Sequence, residues 1–368
     1  MNRRNPGEFP LFGLLARRWR LAAPAQSIQF DAASQTLAAA LADGRVALIG
    51  APDSEPPEAR IAIDDAGRRT ITPRKGEPRP AIMLAAEGEG PAKLAAAGEG
   101  FVVSRPGGGL AHLARDGTLT PLPAARDVSG LDAAPSGRLA LAGLRGVELR
   151  GHDGKSRTLG DAAAQSIAFA PDGERVAFGV GGALCLEAAA EIKRFACPGG
   201  VERIVWSADG RWLAALCGAA GIVLLEPASG RLAALGGFPT PPRSVAFSEA
   251  ANALVVAGAF RIAAWDLARP PFDGRQEGAL ETGRPGFVPV VAVAPLPGRK
   301  LVAAAYANGQ IVVAAPGLRD EMILQTTGPE PSALVASRDG HLLAVAAGDE
   351  VALIALPDVL FKMTGDHP

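Results

Sequence analysis

Short apolar runs of about 4 to 8 residues, rich in Val, Ile, Leu and Ala, alternate along this chain with clusters of Gly, Pro, Asp and Ser, which is the pattern of β-strands joined by tight turns. The pattern also recurs. SIAFAPDGERVAFGVGGALCLE from Ser166 and RIVWSADGRWLAALCGAAGIVLLE from Arg203 are two copies of one unit, offset by 37 residues. Matching starts fall at Ser27, Ala92, Ser129, Ser166, Arg203, Ser244, Val290 and Ser332, with successive offsets of 65, 37, 37, 37, 41, 46 and 42 residues. A fixed period of roughly 20 to 50 residues marks a propeller, a solenoid or an array. Eight units are counted, and only the first interval is too long for one unit, so an insertion is expected there.

Turn chemistry supports the strands independently. Asp-Gly begins at Asp43, Asp116, Asp153, Asp172, Asp209, Asp273 and Asp339, and Ser136-Gly137, Ser229-Gly230 and Asn308-Gly309 stand in elsewhere. These dipeptides accept the positive φ that tight hairpins require. Helices are disfavoured because 45 Gly and 31 Pro leave few uninterrupted helical windows. The many alanines sit inside strand-length runs and read as close sheet packing.

Counting strands predicts how the repeat ends. The last unit, SALVASRDGHLLAVAAGDEVALIALP, supplies three apolar runs and stops near Pro357. A four-stranded unit is then one strand short, and Leu14 to Leu21 (LLARRWRL), ahead of the first unit, can supply it. Such closure removes the free sheet edges that invite aggregation. The expected fold is therefore all-β: a closed β-propeller of four-stranded antiparallel blades, eight counted and seven the alternative, with an N-terminal strand closing the last blade. Residues 1–25 form the arm with that strand, 26–357 the propeller with an insertion at about 51–90, and 358–368 a tail.

The repeats resemble WD40-type blades. The resemblance rests on Phe169-Ala-Pro-Asp-Gly173, on the related Trp206 to Gly210 segment and on Trp265-Asp266, which ends RIAAWD as that family's dipeptide ends a third strand. It covers Ser27 to Pro357. The chain departs from the family in having one Trp-Asp pair, and Gly151-His152 ends a third strand where the family places Gly-His before the first. The Asp, His, Ser and Trp network of that family therefore cannot be built in most blades, and apolar packing between sheets must replace it. Trp206 aligns with Phe169 and Phe247 and is expected between blades.

Formal net charge is −1, with 48% hydrophobic and 20% charged residues, which describes an ordinary globular chain. No run reaches the roughly 18 apolar residues of a membrane span. Cys185, Cys197 and Cys217 make an odd count unlike a secreted disulfide framework, so a reducing cytoplasmic setting is expected. The apolar stretch Phe9 to Ala16 is broken by Pro10 and Gly13 and followed by Arg17, Arg18 and Arg20, unlike a cleaved secretory signal.

The sequence offers little chemistry. His112, His152, His341 and His367 fall in different units or the tail, without partners at metal-ligand spacing. No Gly-x-Ser-x-Gly elbow is present, and Arg105-Pro-Gly-Gly-Gly is a turn between strands, not a phosphate loop. The tryptophan-docking repeats and adjacent cysteines of quinone-dependent propellers are missing. The acids Asp132, Glu148 and Glu187 share no register for a calcium-dependent lactonase. No catalytic residue, metal or cofactor is assigned, and the chain reads as non-catalytic, with a channel-centred small-molecule or metal-dependent enzyme as the alternative.

An interaction surface remains. The segment from Ala51 to Gly90 carries six prolines, then acids (Asp53, Glu55, Glu58) before bases (Arg68, Arg69, Arg74, Lys75, Arg79). Insertions of this kind map to one rim of a repeat protein. Arg3 and Arg4, with Arg17, Arg18 and Arg20, form a second basic patch. The expected partner is a protein, acidic where it meets the Arg68 to Arg79 end because guanidinium pairs bidentately with carboxylate. The chain is expected to be a subunit of a hetero-complex. Near-neutral charge and 5% aromatic residues argue against nucleic acid.

Overall fold

The computed structural model describes residues 11–361, apart from 64, 66–68, 87, 89, 106–108, 124, 126 and 273–277. Eight four-stranded antiparallel sheets form the ring, which settles the count against seven. Blade 1 holds Ala25–Phe30, Thr36–Leu41, Val46–Gly50 and Ile82–Leu84. Blades 2 to 7 each take four consecutive strands, opening at Lys93, Val128, Ala164, Arg203, Val245 and Val290. Blade 8 holds Pro331–Ala336, Leu342–Ala347 and Glu350–Ala355, and its outer strand is Ala16–Arg20 from the other end of the chain. The first strands of successive blades pack on one another in a closed circuit around the axis.

Stacking explains the apolar runs. The second and third strands of a blade are covered on both faces by neighbouring sheets, so Thr36–Leu41 and Leu139–Gly143 are buried at every position. Alanines such as Ala38 to Ala40 let those sheets approach closely. Fourth strands lie at the rim of the ring and carry polar residues, as in Ser156–Gly160 and Glu191–Ala196. Eight clusters of buried apolar side chains result, one for each contact between neighbouring blades.

Two repeated polar devices join the blades where the WD40-type network is missing. A serine near the start of the inner strand donates its hydroxyl to a carbonyl at the start of the next blade: Ser129 to Ala164 at 2.7 Å, Ser166 to Val201 at 2.9 Å, and Ser332 to Ala25 at 2.8 Å across the seam. At the far end of the same strands an arginine lies over the next blade's aromatic ring. Arg138 stands 5.6 Å from Phe169, and Arg175 stands 5.1 Å from Trp206. Trp206 thus packs on blade 4 as its alignment required, half-buried and donating to the Ala168 carbonyl at 3.3 Å. Trp265-Asp266 does end the third strand of blade 6, but the Trp265 indole N–H has no hydrogen-bond partner, so the WD40-type network is not formed there.

The seam is the most heavily tied contact. Ala16–Arg20 pairs antiparallel with Glu350–Ala355, from Ala16 opposite Ile354 to Arg20 opposite Glu350. Strand alternation then divides the arginines of the arm: Arg17 and Trp19 turn inward, while Arg18 and Arg20 turn outward toward Glu350 and Asp349. Arg17 donates to the carbonyls of Gly50, Ala51 and Pro52 in blade 1 and lies 3.7 Å from Asp53. Trp19 Nε1 donates to the Arg79 carbonyl at 2.7 Å, and Arg60 donates to Leu14 at 2.9 Å. The insertion therefore folds over the closing strand. Its hairpin pairs Ile61–Ile63 with Arg69–Ile71, and its last segment, Ile82–Leu84, is the outer strand of blade 1.

Burial lowers the Arg17 pKa, and the charge of Asp53 opposes that effect. Removing this guanidinium leaves the carbonyls of Gly50, Ala51 and Pro52 without their donor while Asp53 keeps Arg74, so Arg17→Met is expected to cost about 1 to 3 kcal/mol. Urea denaturation measures the loss. A change below about 1 kcal/mol would mean that the seam holds by apolar packing alone.

Candidate binding surfaces on the channel and its two rims

Antiparallel order sorts the loops of every blade onto two rims. Inner strands start, and turns between second and third strands lie, on one rim. The turns after first strands and after third strands lie on the other. The first is called the channel rim here because the axial cavity is lined by inner-strand starts. The second is the insertion rim, because the insertion of blade 1 follows its third strand.

The channel holds a cavity of about 590 Å³ lined by inner strands of blades 1, 5, 6, 7 and 8. Val245, Ala292 and Leu334 are among its apolar walls, and its polar groups are Gln26, Ser27, Arg203, Arg243, Ser244, Glu330 and Ser332. Arg243 pairs with Glu330 at 3.2 Å, and Ser244 exchanges hydrogen bonds with the backbone of Val293. On the surrounding rim, Phe287 is 100% exposed and Phe260 is 41% exposed. The Gly286 N–H donates to the Phe260 carbonyl at 2.8 Å, which joins the two loops that carry these aromatics. The sequence reading missed both, because each lies in a loop between repeated strands.

The described residues among those expected to meet a partner belong to the insertion, and the structure does not keep them together. Arg3, Arg4 and Arg68 lie outside the described residues, and Arg69 enters the small hairpin. Arg74 is half-buried, pairs with Asp53 and donates to the Glu55 carbonyl at 3.1 Å. Burial pushes the Asp53 carboxyl up, and the hydrogen bond from Arg74, the Glu55 N–H and the charge of Arg17 together pull it below its ordinary value. Lys75 and Arg79 keep exposed side chains, while their backbones bond Glu55 and Trp19.

The candidate acids do not converge. Glu148 is held by Arg150 at 2.8 Å, and buried Glu187 is held by Arg157 at 2.6 Å. Asp132, on the inner strand of blade 3, accepts the Phe169 N–H at 2.7 Å. Among the described residues no three His, Cys, Asp or Glu side chains gather as a metal site would require. His341 sits 3.7 Å from Asp339 and 3.6 Å from Asp358 on the insertion rim.

One bond was not legible in the cysteine count. Cys197, after the last strand of blade 4, forms a disulfide with Cys217, after the second strand of blade 5, leaving Cys185 as a buried thiol. The link ties two neighbouring blades on the channel rim. Burial raises the Cys185 pKa.

Burial also pushes the Asp132 carboxyl up to about 6, against the N–H groups of Phe169 and Ala133. The folded protein thus holds this proton more tightly than the unfolded chain does. The resulting stability is fully present below the ordinary Asp pKa of about 3.9 and is lost as pH rises through about 6. Asp132→Asn keeps an acceptor for Phe169 and cannot ionise. Between about pH 5 and about pH 7.5, the wild type should lose about 1 to 3 kcal/mol relative to the Asn variant in urea denaturation. Parallel profiles would show an unshifted carboxyl.

No protein-family model matches the chain, and no curated protein is similar to it in sequence. Solved structures are similar in fold. The Neurospora crassa Pan2 WD40 domain superposes with a TM-score of 0.56 at 14% identity, over 91% of this chain and 90% of that one. The Myceliophteria thermophila Cps50 (Swd1) β-propeller domain superposes with a TM-score of 0.53 at 14% identity, over 93% and 100%. With eight closed four-stranded blades and these likenesses, the chain is a WD40-like β-propeller in fold.

Proposed function

We propose that this protein is a non-catalytic scaffold, a subunit that holds protein partners in a hetero-complex by using both rims. The observation that carries this reading is the fully exposed Phe287 beside exposed Phe260. Adjacent exposed aromatics are costly to leave in water and are frequent anchors at protein interfaces. In the insertion, exposed Lys75 and Arg79 offer an acidic partner ammonium and guanidinium groups, and Arg3, Arg4, Arg68 and Arg69 are further cations of the sequence for the same partner. Arg74 takes no part in this contact, because Asp53 neutralises it. The WD40 fold is shared with the two solved domains named above, which supports a binding rather than a catalytic role by likeness of fold.

Removing residues 51–90 would also remove the outer strand of blade 1 and the cover of the seam, so surface substitutions make the better test. Native mass spectrometry of protein purified from its host should show a stoichiometric protein partner. Phe260→Ser with Phe287→Ser should release one partner, and Lys75→Glu with Arg79→Glu should release or weaken another, while all variants keep the wild-type thermal transition. A wild-type protein found alone would overturn the scaffold reading.

The compartment assigned is the cytoplasm. Among the described residues no helix is long and apolar enough to cross a membrane. The Cys197–Cys217 disulfide stands against that assignment, since such bonds persist chiefly in oxidising compartments. Maleimide labelling of acid-quenched cells, followed by denaturation, separates the two. Label at all three cysteines supports the cytoplasm, and label at Cys185 alone overturns it.

A further inference from the structure

The repeat places serine one residue before the first buried aliphatic of the inner strand at Ser27 before Ile28, Ser166 before Ile167 and Ser244 before Val245. Blades 2, 5 and 7 lack this serine, and blade 5 alone of these puts an arginine there, Arg203 before Ile204. A guanidinium cannot enter the narrow place that a serine hydroxyl fills, and this one projects into the channel cavity instead. It is accessible to the water of the channel yet surrounded by protein, and burial alone pulls its pKa below the usual arginine value. An arginine stays charged even so.

Among the described residues Arg203 has no ion pair and no hydrogen bond, while nearby Arg243 has already taken Glu330. Gln26 and Ser27 line the same cavity, and their side chains likewise make no hydrogen bond within the described protein. Two cations and one carboxylate thus face a cavity of about 590 Å³ with apolar walls. Arg203 is therefore free to pair with an oxyanion that enters the cavity, with no protein contact to give up.

We propose that the channel binds a small organic anion, with its carboxylate or phosphate on Arg203, Gln26 and Ser27 and its body against Val245, Ala292 and Leu334. The planar fork of Arg203 suits either oxyanion, and the cavity falls within the usual size of small-molecule sites. A ligand seated there also bridges the inner strands of blades 1 and 5, opposite sides of the ring, and so stiffens the scaffold.

Thermal unfolding with citrate and with inorganic phosphate as probes, against sodium chloride at matched ionic strength, tests the site. Wild type should show a saturable rise in Tm of roughly 2 to 4 °C when one probe exceeds its Kd about a hundredfold. The probe that acts distinguishes a carboxylate from a phosphate ligand. Arg203→Ser, which restores the residue of the repeat, should lose the response while its Tm without anion equals or exceeds that of wild type. Lys300→Ser, the same loss of charge on the opposite rim, should keep the response. The proposal is overturned if wild type responds to neither probe through the millimolar range, if all three proteins respond alike, or if Arg203→Ser is itself less stable without anion, since Arg203 would then be a structural residue.

Discussion

A ring of sheets is stable only if its first and last members meet, and in this molecule that contact is the pairing of Ala16–Arg20 with Glu350–Ala355. Every other blade joins its neighbour through consecutive chain, whereas the seam must be made by residues more than 300 positions apart, as Ser332 and Ala25 show. Closing so long a loop is entropically unfavourable, and the cost grows only slowly with length. The seam answers it with more polar ties than other contacts carry. Arg17, Trp19 and Arg60 fasten the closing strand to the insertion of blade 1, and apolar Leu15, Ile354 and Phe361 pack beneath it. The insertion is thus part of what keeps the ring shut.

Between the other blades the work is divided differently. Apolar faces dominate, and from blade 3 to blade 5 two small devices help fix how a sheet sits on the next: the serine-to-carbonyl bond at one end of the inner strand and the arginine over an aromatic ring at the other. Each is worth little alone, about 1 kcal/mol. Together they fasten both ends of the inner strand at these two contacts. Blade 5 to blade 6 lacks the serine, and the disulfide between Cys197 and Cys217 holds blade 5 from its other side.

The fold was legible because stacking covers both faces of the middle strands, leaving long apolar runs at Leu139–Gly143 or Leu301–Tyr306 for the repeat to display. Fourth strands, half in water, carry no such run, and Ser156–Gly160 would pass for a loop. The closing strand was found by counting, since three runs in the last unit require a fourth from elsewhere. The insertion was visible as an interval too long for one unit, but its charges could not show that Arg74 and Arg17 face Asp53. That pairing depends on which way a strand alternates. The disulfide was hidden for a similar reason: the two cysteines stand 20 residues apart in two different blades, and no motif joins them.

The positions that matter for binding are those where the repeat fails. A residue that obeys the unit is explained by packing, as Trp206 is by blade 4. Arg203 and Phe287 are not explained in that way. Arg203 takes the place of a hydroxyl that would have bonded the next blade, and Phe287 is an aromatic with no apolar neighbour to cover it. Among the described residues neither side chain makes a contact that supports the ring. A repeat protein builds the same interface eight times, so an exception in one blade is not required by the architecture. The proposed anion in the channel gives the one a role, and the proposed protein partner gives the other its role. The two lie on the same rim, so a ligand in the channel sits beneath the face on which a partner would rest.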